Sequence, residues 1–150
     1  MSRAEGFAPL DDERHARWMK FASWDRTYFP MLVGLTVEDV RTDYCRMRLP
    51  FRPELEQPAG VVHGGAIATI LDSVVVPAVG SAYTAEHRYS TVDMHVQYLS
   101  ALVQEDGIAE GWIVRRGRTT VFCEAELTGA TSGKLIARSL LTYNVGAPRT

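Results

Sequence analysis

The chain has 150 residues, of which 46% are hydrophobic and 23% charged, and its net charge is −2. These values describe an ordinary globular protein with one domain, residues 1–150, and enough chain for a hydrophobic core. The basic excess typical of nucleic-acid binding is absent. The sequence also shows neither a membrane span nor the apolar core of a signal peptide.

The first predicted element is an amphipathic helix from Leu10 to Arg26, which makes about residues 1–30 an N-terminal helical extension. Asp11 or Asp12 can cap the start of this helix, and Pro30 is expected to end the region. Three apolar residues lie at helical spacing along it: Trp18, Phe21 and Ala22.

Strand patterns follow the extension. Residues 33–37 and 44–49 alternate apolar with polar or small residues, which predicts two strands with Asp43 in the turn between them. An apolar helix is predicted from about His63 to Ala82, and Pro77 should bend it near its end. One long helix followed by antiparallel strands is an α+β layout. The later strands are predicted at residues 92–98, 108–115, 119–128 and 135–145.

Alternation within residues 92–98 assigns neighbouring side chains to opposite faces of that strand. The predicted apolar face consists of Val92, Met94, Val96 and Tyr98, and the polar face of Asp93, His95 and Gln97.

The two cysteines, Cys45 and Cys123, fall on apolar positions of predicted strands and lack metal-ligand spacing. This pattern predicts buried free thiols and no metal site. Free thiols favour a reducing compartment, so we expect a cytoplasmic protein.

The most informative segment is the start of the long helix. The Gly64–Gly65 pair lets another group approach the backbone where helix N–H groups are free and the helix dipole is positive. Asp72 is the single charge of the following apolar helix, and an ionised carboxylate is costly to bury without partners. A helix end that stabilises anions, together with a lone carboxylate, indicates acyl-transfer chemistry. The alternative is a structural aspartate whose carboxylate accepts from nearby hydroxyls such as Thr69 or Ser73.

The spacing of Gly64 and Asp72 predicts a dimer. Eight residues separate them, which corresponds to roughly 12 Å of helix rise and about 80° around the axis. One carbonyl has to lie about 3 Å from both its oxyanion donor and its attacking group. Two antiparallel helices across a twofold axis can provide that geometry, so the site is expected at a subunit interface.

These residues resemble a known family. His63-Gly64-Gly65, preceded by Gln57 and followed by Asp72, continues into a strand motif at residues 90–100. The pattern is similar to that of the hotdog-fold acyl-CoA thioesterases, of the PaaI-like or thioesterase-superfamily-member type, from about residue 32 to residue 145. The resemblance implies a hotdog fold, with a long central helix packed on an antiparallel sheet. It also implies a dimer or a dimer of dimers, and an acyl-CoA substrate with no separate cofactor.

The resemblance also implies residue roles. The Gly64 N–H would hold the oxyanion, Asp72 would act as general base or nucleophile, and Gln57 and Thr91 would position water and carbonyl. His63 would orient the site. Substrate contacts are implied for Gly65, Leu99, Ser100, Arg115, Arg116, Arg118 and Thr119.

Several alternatives stay open. The arginines at residues 115–118 match the fork of donors that phosphate oxygens prefer, but they equally fit a solvated hairpin turn. His63 with Asp72 could serve a hotdog hydratase or dehydratase, and the chain could be a non-catalytic acyl-CoA-binding module. Related aryl-CoA thioesterases carry Glu and a hydroxyl where this chain has Asp72 and Val76, which leaves the acyl group undefined.

Overall fold

A computed structural model describes residues 2–149. The helices are α1 (Asp12–Met19), α2 (Phe29–Val33) and α3 (Gly64–Gly80). The strands are β1 (Thr36–Arg41), β2 (Tyr44–Leu49), β3 (Glu56–Gln57), β4 (Val61–Val62), β5 (His87–Tyr98), β6 (Gly107–Arg116), β7 (Thr120–Gly129) and β8 (Leu135–Pro148).

Six of the described strands form one antiparallel sheet in the order β1-β2-β6-β7-β8-β5, and β3 and β4 form a small hairpin. The predicted α+β layout is therefore confirmed. None of the helices within residues 2–149 is long and apolar enough to cross a membrane.

The core lies between α3 and the inner face of the sheet. Burial of these apolar side chains is the main term that holds the two layers together. The close approach is visible at Gly111 of β6, where an added Cβ would lie 2.9 Å from methyl groups of Val74 and Val75. The fully buried side chains of α3 include Ile70, Leu71, Val74, Val75, Ala78 and Val79.

Cys45 and Cys123 are both buried and free, as predicted. Burial raises the pKa of the Cys45 thiol well above its usual range. Burial also raises the pKa of Cys123 to about 12. Both thiols therefore stay protonated, and they act as small apolar side chains in the core.

The N-terminal region differs from the sequence prediction. Asp11 does cap α1, accepting from Arg14 N at 2.9 Å, but the helix ends at Met19 and Ala22 adopts a positive φ of 62°. Pro30 lies in the first turn of α2 instead of ending the region. Proline fits that position because its missing N–H would have no helical partner there.

The first strand is also shifted. Residue 33 ends α2, and Gly34 follows with a φ of 89°, the left-handed conformation that commonly terminates a helix. β1 therefore begins at Thr36 and not at Val33. The second predicted strand, 44–49, is confirmed, and Asp43 lies in the turn with a φ of 66°.

β5 contains a bulge that changes which side chains face α3. Thr91 is paired with Tyr143 and Asp93 with Thr142, so Val92 is an extra residue, and it is 65% exposed. Met94 packs against the core as predicted, while Val92 does not share its face. A bulge shifts the alternation by one residue, and it therefore brings Thr91 onto the same side as Met94.

The N-terminal region docks on α3 through Trp18. An added Cβ at Gly80 would overlap the six-membered ring of Trp18, and Trp18 also contacts the ring of Tyr89 at a centroid distance of 6.0 Å. Glycine at position 80 is thus what allows α1 to lie against the end of α3.

We expect Gly80→Ala to destabilise the protein by about 1–3 kcal/mol, because an extra methyl group in a packed interface forces a rigid ring to move. Urea unfolding with tryptophan fluorescence measures this. Gly6→Ala is the matched control, since nothing lies within 4 Å of a Cβ built at Gly6. Equal stability of the two variants would contradict a close Trp18–Gly80 contact.

Candidate active site

The half-buried carboxylate of Asp72 lies where α3 passes the inner face of β8 and β5. Its Oδ1 accepts from Thr91 Oγ1 at 2.9 Å and from Tyr143 OH at 2.6 Å. Tyr143 OH also lies 2.9 Å from the Asp72 carbonyl oxygen. No group within residues 2–149 donates to Oδ2, so this oxygen is available to a water or a substrate.

The Tyr143 hydroxyl keeps its proton and therefore donates to Asp72 over the whole neutral pH range. Tyr143 is 2% exposed, and burial, the Asp72 charge and their hydrogen bond raise the pKa of its hydroxyl far above the usual range. A tyrosine that keeps its proton holds the carboxylate in one orientation, so Oδ2 points in a fixed direction.

The alternative prediction for Asp72 is a carboxylate that accepts from nearby hydroxyls such as Thr69 or Ser73, and the structure agrees with it only in part. Its partners are hydroxyls, but not those of neighbouring helix residues, because Thr69 Oγ1 donates to Gly65 O at 2.8 Å. Tyr143 is not among the site residues predicted from the sequence. Its alternation with Leu141 and Val145 marks an inward-facing position, yet that pattern alone is typical of core residues.

His63 caps the start of α3. Its Nδ1 accepts from Gly65 N at 2.8 Å, so Nδ1 carries no proton and the neutral ring is protonated at Nε2. The Gly65 N–H is occupied by this bond, whereas no group within residues 2–149 accepts from the Gly64 N–H. The free donor at the positive helix end is therefore Gly64.

Tyr98 forms a wall beside that donor, and the sequence analysis gave it no role at the site. Its hydroxyl donates to Gly64 O at 2.9 Å, and an added Cβ at Gly64 would lie 3.3 Å from the Tyr98 ring. Leu99 and Ser100 follow at the same end of α3, and their N–H groups donate to Ile136 O at 2.8 and 3.1 Å.

Gln57 lies in the β3–β4 hairpin that leads into His63. Its Oε1 accepts a long hydrogen bond of 3.4 Å from Ala59 N, and the hairpin turns at Gly60, whose φ is 77°. The half-buried Gln57 side chain therefore belongs to the Gly64 end of the molecule and makes no recorded contact with Asp72.

The arginine hairpin lies toward the Asp72 end. Register across the sheet joins Thr91 to Tyr143, Tyr143 to Val121, and Val121 to Arg116. Three strand spacings of about 4.8 Å place Arg116 roughly 14 Å from Thr91. The backbone of the arginine hairpin is therefore separated from the strand that carries Thr91 by the width of three strand spacings.

The three arginines are not equivalent. Arg116 is half-buried, pairs with Asp43 and donates to Tyr83 OH at 3.0 Å. Its charge is therefore used within the protomer, which favours a structural role. Arg115, Arg118 and Thr119 are exposed, and the main-chain carbonyl of Thr119 accepts from Asn144 and Val145.

The candidate residues thus form two groups at opposite ends of one helix segment. Gly64, His63 and Tyr98 lie at its start, and Asp72, Thr91 and Tyr143 lie about 12 Å farther along. One protomer does not bring them to a common point. Within residues 2–149 no cluster of three His, Cys, Asp or Glu side chains could hold a metal ion.

Comparisons with known proteins identify the family of this chain. The family model of the thioesterase superfamily matches residues 59–136. Human acyl-coenzyme A thioesterase 13 is 31% identical over 103 residues, which cover 68% of this chain and 71% of that protein. The mouse protein of the same name is 35% identical over 88 residues, 58% of this chain and 62% of its own length.

Solved structures show the same fold. Zebrafish thioesterase superfamily member 2 has a TM-score of 0.75 at 23% identity and covers 92% of this chain and 99% of its own. The E. coli PaaI protein has a TM-score of 0.78 at 12% identity, with coverages of 89% and 94%. The chain therefore has the hotdog fold of PaaI-like proteins, which confirms the predicted fold. The chain belongs to the thioesterase superfamily.

The raised pKa of Tyr143 predicts how stability depends on alkaline pH. Unfolded tyrosine loses its proton near pH ~10 while folded Tyr143 keeps it, so Tyr143 alone makes stability fall above that pH by up to about 1.4 kcal/mol per pH unit. Tyr143→Phe should make this slope shallower by about that amount. Urea unfolding between about pH 9 and 11 measures it. Tyr28→Phe, at an exposed ring, should keep the original slope, and an unchanged slope in Tyr143→Phe would contradict the assignment.

Proposed function

We propose that the protein hydrolyses acyl-CoA or aryl-acyl-CoA thioesters to the free acid and coenzyme A. The observation that carries this proposal is the Asp72 carboxylate, which two hydroxyls orient so that its second oxygen is free. The free Gly64 N–H at the start of the same helix supports it. Relatives named acyl-coenzyme A thioesterase add to the support.

The proposed site is shared by two protomers. Within α3, Gly65, Thr69, Asp72 and Val76 form a stripe that the rest of the protomer leaves exposed or half-buried, because residues at this spacing share one helix face. β5 lies at the edge of the sheet with β8 as its neighbour, and an exposed edge is a ready surface for pairing. Antiparallel packing of two such stripes would bring Asp72 toward the partner's Gly64.

In this site the Gly64 N–H would polarise the thioester carbonyl and stabilise the negative oxygen of the tetrahedral intermediate. Asp72 Oδ2 would take a proton from water, whose oxygen attacks the carbonyl carbon, or would itself attack that carbon. The C–S bond then breaks and the thiolate takes up a proton. If Asp72 attacks directly, water would next hydrolyse the mixed anhydride on Asp72, which releases the free acid and restores the carboxylate. Thr91 and Tyr143 would fix the carboxylate, and Gln57 would position the water.

Coenzyme A would lie between the two ends of the site. Gly65, Leu99 and Ser100 are proposed contacts at the Gly64 end. At the Asp72 end, the exposed Arg115 and Arg118, with Thr119, would hold its phosphates, since guanidinium groups pair well with phosphate oxygens. The internal ion pair of Arg116 leaves that residue to support the hairpin.

A thiol-release assay on a panel of acyl-CoAs distinguishes thioester hydrolysis from two other functions. A hydratase would need His63 as an acid or base, but its Nδ1 is engaged by Gly65. A non-catalytic binding module would bind acyl-CoA without releasing thiol. We also propose a cytoplasmic location, supported by the two free buried thiols.

Asp72→Asn should lower turnover by about 10²–10⁴, because the amide keeps the size of the carboxylate but cannot accept a proton or attack. Steady-state release of free thiol from acyl-CoA measures the loss. Asp93→Asn is the matched control, since Asp93 is an exposed carboxylate on β5. Near wild-type turnover of a folded Asp72→Asn enzyme would remove Asp72 from the mechanism.

A mixing experiment tests the shared site. Gly64→Pro deletes the proposed oxyanion donor at the first position of α3, where proline is tolerated, and His63 already has a compatible extended conformation with ψ of 136°. Gly64→Pro and Asp72→Asn oligomers should each be inactive. Refolded together, they should regain up to about one quarter of wild-type activity, because a random dimer mixture is half hybrid and each hybrid keeps one intact site.

Subunits carrying different affinity tags allow the hybrids to be purified and their composition verified. Circular dichroism of each parent establishes that both variants fold. Inactive verified hybrids with folded parents would contradict a site built from two chains.

A further inference from the structure

A cavity of about 570 Å³ opens between the N-terminal region and the start of β5, which is within the size range of ligand pockets. Two of its lining residues connect it to the proposed catalytic group. Val76 follows Asp72 by one turn on the same face of α3, and Ser90 precedes Thr91 on β5. The cavity therefore begins about one helical turn, roughly 6 Å, from the carboxylate.

The walls of this cavity are aromatic. Phe21 and Trp24 meet edge to face at a centroid distance of 5.1 Å, and Trp18 meets Tyr89 at 6.0 Å. With Val76 these rings form the apolar part of an open cavity, which is called the chamber below. Aromatic walls favour a flat ring as occupant, because ring pairs gain energy beyond the area that they bury.

The rim of the cavity is basic. Arg17 is engaged by Glu13 and by Thr84 O, but within residues 2–149 no side-chain partner is recorded for Lys20, Arg88 or Arg149. Glu86 is the one acidic residue among the lining groups. Arg88 also falls within a break in the β5–β8 register, between His87 and Tyr89, and such irregularities often redirect a side chain. The rim thus carries an excess of positive charge.

We propose that this cavity holds the acyl group of the substrate, and that this group is an aromatic ring with a carboxylate or similar anion at its far end. The proposal rests on the thioesterase function above. The thioester carbonyl has to touch Asp72, and the acyl group is bonded directly to that carbonyl, so a chamber beside the carboxylate suits it. The CoA nucleotide is separated from the thioester by the whole pantetheine arm.

The first test compares two substrates that differ by one carboxylate, phenylacetyl-CoA and para-carboxyphenylacetyl-CoA. We expect the carboxylated thioester to have a kcat/KM up to about fivefold higher, the largest effect that one partly exposed ion pair supplies. Arg88→Glu should lower kcat/KM for the carboxylated substrate by about tenfold, because repulsion replaces attraction. It should change the value for phenylacetyl-CoA by less than about twofold. Arg138→Glu, an exposed strand arginine outside the cavity, is the matched control and should change neither value.

The same substrates made as pantetheine thioesters identify the source of the anion. If the rim binds the acyl carboxylate, Arg88→Glu lowers kcat/KM for the carboxylated substrate in both the CoA and the pantetheine series. If the rim binds CoA phosphates, Arg88→Glu raises KM for both CoA thioesters and for neither pantetheine thioester, which would overturn the proposal. Arg118→Ala gives the reference pattern for a phosphate contact.

A binding measurement separates this inference from the proposed function. Benzene-para-dicarboxylate should quench the fluorescence of Trp18 and Trp24 at lower concentration than benzoate does, and Trp24→Phe should reduce the quenching. Trp112 lies beneath Arg3 on the other face of the sheet and provides a constant background. If no thioester is hydrolysed, the proposed function fails while this titration still tests the cavity. Hydrolysis of both substrates at equal kcat/KM, with equal binding of the two acids, would overturn the inference and leave the function standing.

Discussion

The buried face of α3 is the constraint on which the rest of the structure depends. Ile70, Leu71, Val74 and Val75 are fully buried against the sheet, and rotating the helix would expose them at a cost of about 1.5–3 kcal/mol each. The helix therefore has one orientation. That orientation directs Asp72 toward β8 and β5, and it leaves the stripe through Thr69 and Val76 uncovered.

The polar groups around Asp72 follow from this fixed position. A half-buried carboxylate requires hydrogen-bond donors, and the sheet supplies them from Tyr143 on β8 and Thr91 on β5. Thr91 reaches the carboxylate because the bulge at Val92 shifts the alternation of β5. At the start of the same helix, two turns before Asp72, His63 occupies the Gly65 N–H and so makes Gly64 the available donor. In the proposed function each group would serve one part of acyl transfer, and the rise of the helix keeps the two groups about 12 Å apart within one protomer.

The N-terminal region packs against the far end of α3 and lines a cavity there. Trp18 lies against Gly80, and its neighbours Phe21 and Trp24 complete a chamber with β5. The chamber touches α3 at Val76, one turn beyond Asp72. The chemistry and the choice of acyl group would therefore belong to different parts of the chain, with α3 and the sheet providing the first and the region around α1 the second.

The sequence by itself determined the long apolar helix, the central strand pattern, the lone Asp72 and the glycine pair, because periodicity and unusual charge are local properties of a chain. It also indicated that Gly64 and Asp72 cannot meet within one protomer, since helix rise is fixed. It did not give the end of α1 at Met19 or the start of β1 at Thr36, where tertiary contacts and the left-handed Gly34 override local preference. Tyr143 and Tyr98 became visible as site residues only in the tertiary structure, because an inward-facing aromatic residue on a strand reads as core until its hydroxyl is seen to reach Asp72 or Gly64.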